Sequence, residues 1–360
     1  MSDRVFWAGR RVLVTGHTGF KGAWLTLWLR SLGAEVAGYA LPPPTEPSLY
    51  ETAHVGDGIA SRLADIGNRP AIAEAFAAHR PEVVFHLAAQ SLVRRSYDDP
   101  IGTFATNVMG TLHVLDAVRA TGGVAAVVVA TSDKCYDNRE WAWSYRENDA
   151  MGGHDPYSAS KGAAELAVAA YRESFFSAAG TARVATARAG NVIGGGDWAP
   201  DRLVPDVVRA AKEGRPVVIR YPAATRPWQH VLDALHGYLI LAERLAADEG
   251  PAYARGWNFG PAAEDAMPVS TMVDRLCVLL GASAGWTVDS TPQPPEAEAL
   301  MLDSSLARRR LGWRPRLSLN AALASIAEWH HNFDAGADMR AVSLAQIARF
   351  SADRGAPSDA

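Results

Sequence analysis

The sequence predicts an α/β fold, a Rossmann-type doubly wound parallel sheet with a smaller α/β substrate lobe at its C-terminal side. Short apolar runs alternate with segments of helical period throughout the first half of the chain. These runs are apolar at consecutive positions, as expected for parallel strands buried on both faces. A glycine-rich loop follows the first run, where such folds turn from strand to helix.

The first half of the chain supplies the predicted sheet. Each apolar run is short, and the segments between the runs have helical spacing and end at glycine or proline. Strands are predicted at RRVLVTG, EVAGYAL, PEVVFHLAAQ, VAAVVVATS and ARVATARAGNVIG (182–194), and helices at 22–33, 101–120 and from Tyr157 onward.

After about residue 190 the elements become shorter and less regular, which predicts a second lobe over the carboxyl edge of the sheet. Open α/β sheets bind their ligands at that edge. We assign residues 1–187 and about 229–255 to a dinucleotide-binding domain. Residues 188–228 and about 256–330 form the predicted substrate lobe, and 331–360 a C-terminal helix and tail.

Composition excludes several classes of protein. A net charge of −4 gives no reason to expect a nucleic acid or an anionic membrane as partner. No apolar stretch is long enough to span a membrane. The two cysteines, Cys135 and Cys277, cannot form a disulfide framework, so we expect a reducing compartment, the cytoplasm. No cluster has metal-ligand spacing, and we expect no metal.

The loop TGHTGFKG carries Gly16, Gly19 and Gly22 between the first strand and the first helix. Glycines there allow a pyrophosphate to approach the helix N-terminus. The alternative is a glycine-rich turn without a ligand. The second strand ends without an acidic residue for a ribose, which leaves NAD and NADP both open. Asp65 could face the adenine or be an ordinary loop residue.

Tyr157 and Lys161 lie four residues apart at the start of a predicted helix that Asp155 caps. A phenol has a pKa near 10, and a nearby ammonium and a cationic cofactor would both lower it. The pair therefore predicts a general base that acts on an alcohol. The alternative is a solvated pair on a helix surface.

The stretch TSDKCYDN places Ser132, Asp133 and Lys134 at the end of a buried strand. Lysine is rare in this chain, which has only four, so its position at a strand end is notable. The simple alternative is a salt bridge between the strand end and the surrounding loops.

These motifs resemble those of the extended short-chain dehydrogenase/reductase superfamily over residues 8 to 330. The resemblance rests on TGHTGFKG, VVFHLAAQ, TNVMGT, YSASK and RAGNVIG. Within the superfamily the chain most resembles the CDP-glucose 4,6-dehydratase family, through GHTGFKG, TSDKCYDN, GNVIGGGDW and RPWQHV.

The resemblance implies a hydro-lyase that converts CDP-D-glucose to CDP-4-dehydro-6-deoxy-D-glucose with tightly bound NAD, which is regenerated at each turnover. Carbon 4 is oxidised, water is eliminated across carbons 5 and 6, and the hydride returns to carbon 6. The resemblance also implies deoxysugar biosynthesis, as for lipopolysaccharide O-antigen, and a homodimer or a dimer of dimers.

The resemblance also assigns roles to residues. Tyr157 and Lys161 would act on the hydroxyl at carbon 4 with Ser132, Asp133 would be the acid for the departing hydroxyl, and Lys134 the base at carbon 5. We expect burial to raise the pKa of Asp133 and to lower that of Lys134, unless the two pair directly. The cofactor would contact Gly16, His17, Gly19, Phe20, Gly22, Asp65, Ile66, Ala88, Ala89, Gln90, Asn107, Tyr157 and Lys161, and the substrate Asn191, Arg202 and Arg226.

Three alternatives remain open at this point. GDP- or dTDP-glucose could replace CDP-glucose, because the nucleobase rests on resemblance alone. A 4-epimerase or reductase would need Tyr157 and Lys161 but not Asp133 and Lys134. A non-catalytic NAD-binding regulator belongs to a different class, and for it we would expect a broken Tyr/Lys pair.

Overall fold

The computed structural model describes residues 4–291 and 299–353. Its strands are short, and five strands of the large sheet are buried except, at most, at one end residue. They are β1 (Arg11–Thr15), β2 (Glu35–Ala40), β3 (Ala60–Leu63), β4 (Val83–His86), β5 (Ala126–Ala130), β6 (Arg183–Ala189), β7 (Asn191–Ile193), β8 (Val217–Ile219), β9 (Thr225–His230), β10 (Gly256–Phe259), β11 (Ala266–Pro268) and β12 (Trp286–Val288).

Helices connect these strands and cover both faces of the large sheet. They are α1 (Arg4–Trp7), α2 (Phe20–Ser31), α3 (Leu49–Thr52), α4 (Arg69–His79), α5 (Val93–Asp98), α6 (Pro100–Phe104), α7 (Gly110–Thr121), α8 (Pro156–Phe175), α9 (Leu203–Glu213), α10 (Val231–Ala246), α11 (Val269–Leu279), α12 (Ser305–Leu311), α13 (Leu319–Asp334) and α14 (Met339–Ala352).

The large sheet confirms the predicted fold class. Its seven parallel strands are ordered β10-β6-β5-β4-β1-β2-β3. The strand order reverses between β1 and β4, so a crevice opens at their carboxyl ends, where this fold binds ligands. One face is covered by α2 and α10, and the opposite face by α4, α7 and α8.

The predicted strand over 182–194 is two strands in the structure. β6 lies in the large sheet, whereas β7 pairs with β9 in a three-stranded sheet, β11-β9-β7. The break falls at Gly190, where a Cβ atom would lie 3.0 Å from Asp133 Oδ2 and 3.1 Å from Pro227 Cγ. With any other residue at position 190, Asp133 and Pro227 would have to shift by a few tenths of an ångström.

The smaller part of the molecule has its own apolar core, built from α9, α11, α13 and the short strands β8 and β9. β8 pairs with β12 at its outer side. One strand differs from the predicted division, because β10, which was assigned to the substrate lobe, pairs with β6 in the large sheet.

Within 331–360, predicted as a C-terminal helix and tail, the structure has the end of α13 and the whole of α14. α14 packs against α2 and α13, and the Phe350 ring meets the Trp28 ring at 5.5 Å between centroids. Arg316 Nη1 donates to the Phe350 carbonyl at 3.0 Å. Residues 354–360 of the predicted tail lie outside the described residues. Within the described ranges, no helix combines the length and the apolar character needed to cross a bilayer.

Candidate active site

A cleft of about 1960 Å³ lies at the carboxyl ends of the central strands. Pockets of roughly 300–1,000 Å³ hold a drug-sized ligand, so this cleft has room for a dinucleotide and a second nucleotide. Both the large sheet and the smaller part of the molecule line it. Its walls include most of the predicted site residues, namely Gly16, Gly19, Phe20, Gly22, Asp65, Ile66, Ala88, Ala89, Gln90, Ser132, Asp133, Lys134, Tyr157, Lys161, Asn191, Arg202 and Arg226.

The glycine loop has the tight geometry that a dinucleotide requires. Gly16 has a φ of +77°, and a Cβ atom there would lie 2.7 Å from the Ala88 backbone nitrogen. A Cβ atom on Gly22 would lie 2.0 Å from the Gly16 carbonyl oxygen. Gly19 precedes α2 and offers no side chain to its free N–H groups. The loop therefore suits a phosphate at the start of α2.

Asp65 and Ile66 form the far wall of the cleft, beyond β2 and β3. The Asp65 side chain accepts a hydrogen bond from the Gly67 backbone at 2.6 Å, and the Asp65 carbonyl accepts one from the Tyr39 hydroxyl at 2.7 Å. The Ile66 side chain is buried against Gly110, where a Cβ atom would approach it to 2.6 Å. This wall is fixed and partly apolar, which suits a flat base.

Two residues predicted to contact the cofactor lie behind the cleft wall instead. His17 is fully buried, occupies the space beside Gly38, and its Nε2 lies 2.7 Å from Ser61 Oγ. Asn107 lies in a π-helical turn, accepts a hydrogen bond from the Gln90 backbone at 2.9 Å and donates to Ser160 Oγ at 2.8 Å. Both support the wall and do not line the cleft.

Tyr157 differs from its predicted electrostatic state. Burial raises the pKa of Tyr157 to about 12, and the neighbouring Ser132 hydroxyl offsets this only in part. The expectation of a lowered pKa depended on the Lys161 ammonium together with the positive charge of a bound cofactor, and without the cofactor the pKa is not lowered. The cause of the difference is desolvation, since Tyr157 is only 7% exposed. In the protein alone, Tyr157 is a neutral phenol at neutral pH.

Ser132 and Asp133 are directly connected at the end of β5. Ser132 Oγ donates to Asp133 Oδ1 at 2.9 Å and accepts from the Lys134 backbone at 3.2 Å. Asp133 is buried, and its Oδ2 has no hydrogen-bond partner among the described residues. Within the same ranges Asp133 and Lys134 form no ion pair, although the sequence left this open. Lys134 is only partly buried, less than the burial argument assumed.

Lys161 lies beneath the site, with its Nζ 3.4 Å from the Ala130 carbonyl oxygen. Burial lowers the pKa of Lys161 to about 8, and the Glu165 carboxylate opposes that shift. Glu165 itself accepts two hydrogen bonds from Arg188, at 2.9 and 2.8 Å, and one from Thr131 at 2.5 Å. The sequence reasoning did not identify this buried pair, which anchors α8 to β5 and β6.

Lys21 is a second cation that the sequence reasoning missed. It lines the cleft, and its Nζ lies 5.9 Å from the centroid of the Tyr238 ring. Burial lowers the pKa of Lys21 to about 7, helped by the positive charges of Arg202 and Lys161 and opposed by Asp133. The rarity of lysine could have pointed to Lys21, because three of the four lysines in the chain line this cleft.

The opposite end of the cleft carries two arginines. Arg202 donates to Asp197 at 3.0 Å and to Ser91 Oγ at 2.8 Å, which links the two sides of the cleft. Arg226 is buried and donates to the Thr225 carbonyl at 3.1 Å. Asn191 lies at the start of β7, opposite Trp228. Fixed guanidinium groups of this kind suit a diphosphate.

Across the described part of the chain, no three His, Cys, Asp or Glu side chains converge to hold a metal ion. The ionisable side chains that line the cleft include Tyr157, Asp133 and three amines, which are Lys21, Lys134 and Lys161.

Sequence comparison identifies the family. Residues 13–326 match the family model described as GDP-mannose 4,6 dehydratase. The chain belongs to this dehydratase family. The match covers both the large sheet and the smaller part of the molecule, up to α13.

The chain is also similar to one curated protein by sequence and to two solved proteins by structure. The chain is 51% identical to a CDP-glucose 4,6-dehydratase of Salmonella typhimurium, over 97% of this chain and 98% of that protein. MoeE5, solved with UDP-glucuronic acid and NAD, has a TM-score of 0.74 at 27% identity, covering 89% of this chain and 99% of its own. DesIV of Streptomyces venezuelae, a dTDP-glucose 4,6-dehydratase, has a TM-score of 0.78 at 23% identity, covering 92% and 99%.

Proposed function

We propose that this dehydratase-family protein converts CDP-D-glucose to CDP-4-dehydro-6-deoxy-D-glucose with NAD. The observation that carries the proposal is the buried Asp133 carboxylate, hydrogen-bonded to Ser132 beside Tyr157 in a two-nucleotide cleft. Oxidation of an alcohol alone needs no such carboxyl group, whereas the loss of a hydroxyl as water needs an acid. The 51% identity to the Salmonella CDP-glucose 4,6-dehydratase supports the choice of nucleotide.

The cleft fits NAD. The glycine loop would hold its pyrophosphate, Asp65 and Ile66 its adenosine, and Lys161 the ribose nearest to Tyr157. When bound, NAD supplies a temporary acceptor for a hydride. MoeE5, a relative of the same fold at 27% identity, was crystallised with NAD.

Three side chains, those of Tyr157, Lys134 and Asp133, would transfer the protons of the reaction. With the Lys161 ammonium and the positive charge of the bound cofactor favouring its phenolate, Tyr157 would receive the proton of the hydroxyl at carbon 4 as that carbon is oxidised. The resulting ketone acidifies the hydrogen at carbon 5, and Lys134 removes it. Asp133 protonates the hydroxyl that leaves carbon 6 as water, and its Oδ2 has no protein partner that would compete. Lys134 then returns its proton to carbon 5.

The substrate's nucleotide would occupy the smaller part of the molecule, which agrees with the proposed division into a dinucleotide-binding domain and a substrate lobe. Arg202 and Arg226 would bind the diphosphate as fixed guanidinium groups, with Asn191 beside the sugar. Two buried free cysteines, Cys135 and Cys277, support the reducing environment of the cytoplasm. The 4-dehydro-6-deoxy product would enter deoxysugar biosynthesis, as for O-antigen.

Parallel incubations with CDP-, dTDP- and GDP-glucose test the reaction and the nucleobase together. We expect a product lighter by one water from CDP-glucose alone, identified by mass spectrometry and NMR as the 4-dehydro-6-deoxy sugar. A product epimeric at carbon 4, or no reaction with any of the three, would contradict the proposal.

Replacing Tyr157 tests the first step. Tyr157→Phe should lower the rate of carbon 4 oxidation by roughly 100-fold or more, because the proton of the hydroxyl loses its acceptor. Stopped-flow absorbance of reduced cofactor measures this rate. Tyr171→Phe is the matched control, since Tyr171 lies on the same helix outside the cleft. Normal cofactor reduction by Tyr157→Phe would rule out its role.

Replacing Lys134 tests the second step. Lys134→Ala should still oxidise carbon 4, because Tyr157 is intact, but it should release little product. Rapid quenching should therefore trap the 4-ketone with carbon 6 still hydroxylated. Wild-type turnover in this variant would show that another group removes the proton at carbon 5.

We further propose a homodimer formed through α6, α7 and α8. Ile101 is 82% exposed and Leu166 62% exposed, and Phe104, Phe175 and Met109, which directly precedes α7, are exposed as well. An apolar surface of this kind on adjacent helices is typical of a protein interface.

A further inference from the structure

One end of the cleft is formed by α9 and β8, which pack against each other in the smaller part of the molecule. Leu203 and Pro205 of α9 line it, and so does Val218 of β8. Val217 and Ile219 are buried in the apolar core, whereas Val218, between them, is 52% exposed. An apolar side chain that faces a cleft in this way suits a flat aromatic ring.

The proposed function, on which this inference rests, places the substrate's base at this end. The sugar would lie beside Asp133 and Tyr157, and Arg202 and Arg226 would bind the diphosphate. Arg202 directly precedes α9, so a nucleotide that extends from its sugar to its base passes the first turn of that helix. The base would therefore lie between α9 and β8, at the end of the cleft away from Asp65.

Asp206 adds a hydrogen-bond acceptor to this apolar wall. It lies in the first turn of α9 and lines the cleft, and its side chain is 36% exposed. Burial raises the pKa of Asp206, and the positive charges of Arg209 and Arg220 oppose that shift. As a carboxylate, Asp206 accepts hydrogen bonds and donates none.

Two neighbouring carboxylates are engaged in pairs of another kind. Asp197 accepts a hydrogen bond from Arg202 at 3.0 Å, and Asp201 pairs with Arg94 of α5 at 3.5 Å. The partner of Asp206 is Arg209 of the same helix, which donates to Oδ1. A carboxylate has two oxygens and accepts several hydrogen bonds, so Asp206 can keep this partner and also bind a ligand.

We propose that Asp206 selects the nucleobase by accepting a hydrogen bond from the amino group at carbon 4 of cytosine. Uracil and thymine carry a carbonyl oxygen at that position, which would face the carboxylate with no hydrogen between them. Guanine also carries N–H donors, so this contact separates cytosine from the other pyrimidines and not from purines. The role is one of specificity, since Asp206 lies away from the reacting carbons.

CDP and UDP are the probes that isolate this contact, because they share the ribose and the diphosphate and differ only in the base. Isothermal titration calorimetry of the NAD-loaded protein measures the affinity for each. We expect the wild type to bind CDP roughly 10- to 100-fold more tightly than UDP, the range typical of one hydrogen bond to a charged group.

Asp206→Asn should bring the ratio of the two affinities close to one. A carboxamide can turn its oxygen toward the amino group of cytosine or its NH₂ group toward the carbonyl of uracil. Asp206→Ala should also lose most of the preference, through weaker binding of CDP. Glu213→Gln is the matched control, since Glu213 is a second carboxylate of α9 that pairs with an arginine, Arg215, but lies outside the cleft.

The inference is wrong if the wild type binds CDP and UDP equally, or if an Asp206 variant keeps the wild-type ratio. A general loss of folding lowers both affinities together and leaves their ratio unchanged, and if one variant does not fold the other decides the question. Failure of the proposed function looks different, because the wild type would then form no dehydrated product from CDP-glucose, whatever its preference between CDP and UDP.

Discussion

The site contains two amines whose charge changes near neutral pH. Burial lowers the pKa of Lys161 to about 8 and that of Lys21 to about 7. Each group is therefore partly uncharged under conditions in which an exposed lysine is fully protonated. Burying these amines in their charged form destabilises the folded protein, and the size of this destabilisation varies with pH.

Lys21→Met should stabilise the protein at acidic pH. The unfolded chain keeps a proton on Lys21 up to about pH 10.5, whereas the folded protein loses it near pH 7. Folding therefore carries a penalty below pH 7 that disappears as pH rises toward 10.5. We expect a gain on the order of 2 kcal/mol below pH 7, allowing for the partial exposure of Lys21.

Urea unfolding at a series of pH values measures this difference. Lys212→Met is the control, because Lys212 lies at the surface beside Asp334. A gain for Lys21→Met that is the same at all pH values would contradict the explanation.

For individual residues, the sequence predicted most of the side chains that line the cleft but not the pKa of Tyr157. Ser132, Asp133, Tyr157 and Lys161 lie together because parallel strands end at one edge and α8 starts there. The raised pKa of Tyr157 depends on how deeply the assembled protein buries it, and spacing along a helix carries no information about that depth.

Helix α8 connects the site to the sheet. Tyr157, Lys161 and Glu165 follow one another at intervals of four residues on one face. Glu165 binds Arg188 of β6 and Thr131 of the chain just after β5, next to Ser132. The ion pair therefore fixes the helix against the strand end that carries Ser132 and Asp133.

Glu165→Gln should destabilise the protein by about 3–5 kcal/mol, because it leaves the buried Arg188 guanidinium without its counter-charge. Replacing both residues, Glu165→Leu with Arg188→Met, should recover much of this loss. Denaturant unfolding measures both effects.

Glu74→Gln provides the comparison, since Glu74 pairs with Arg62 at the exposed surface. There we expect a change of less than about 1 kcal/mol. Equal effects at the two sites would show that burial is not what makes the Glu165 pair important.

The sequence predicted the fold class more completely than it predicted the individual helices and strands. Periodicity located α2 and α8 and five strands of the large sheet, β1, β2, β4, β5 and β6. It could not show that the run over 182–194 divides at Gly190, because both halves are apolar and β-forming. The division depends on how closely Asp133 and Pro227 approach from other parts of the chain.

The cleft lies between the large sheet and the smaller part of the molecule. The fold class and the place of the site at the carboxyl edge follow from sequence, since strand order and handed crossovers leave few arrangements. The position of β10 does not follow, because it comes late in the chain and yet extends the sheet beside β6.

The proposed homodimer is tested by the surface of α8. Leu166→Glu should convert the dimer to a monomer, because it places a charge within an apolar interface. Light scattering coupled to size-exclusion chromatography measures the mass. Val278→Glu, at a position on α11 that is 80% exposed, should leave the mass unchanged. A monomeric wild type would contradict the proposal directly.

The contact between α14 and α2 affects how the protein can be handled. The family match ends at residue 326, so trimming the chain there would look harmless. It would remove Phe350 from the Trp28 ring and uncover the helix that follows the glycine loop. Purification tags and fusion partners are therefore better joined beyond an intact α14, through a flexible spacer, than in place of it.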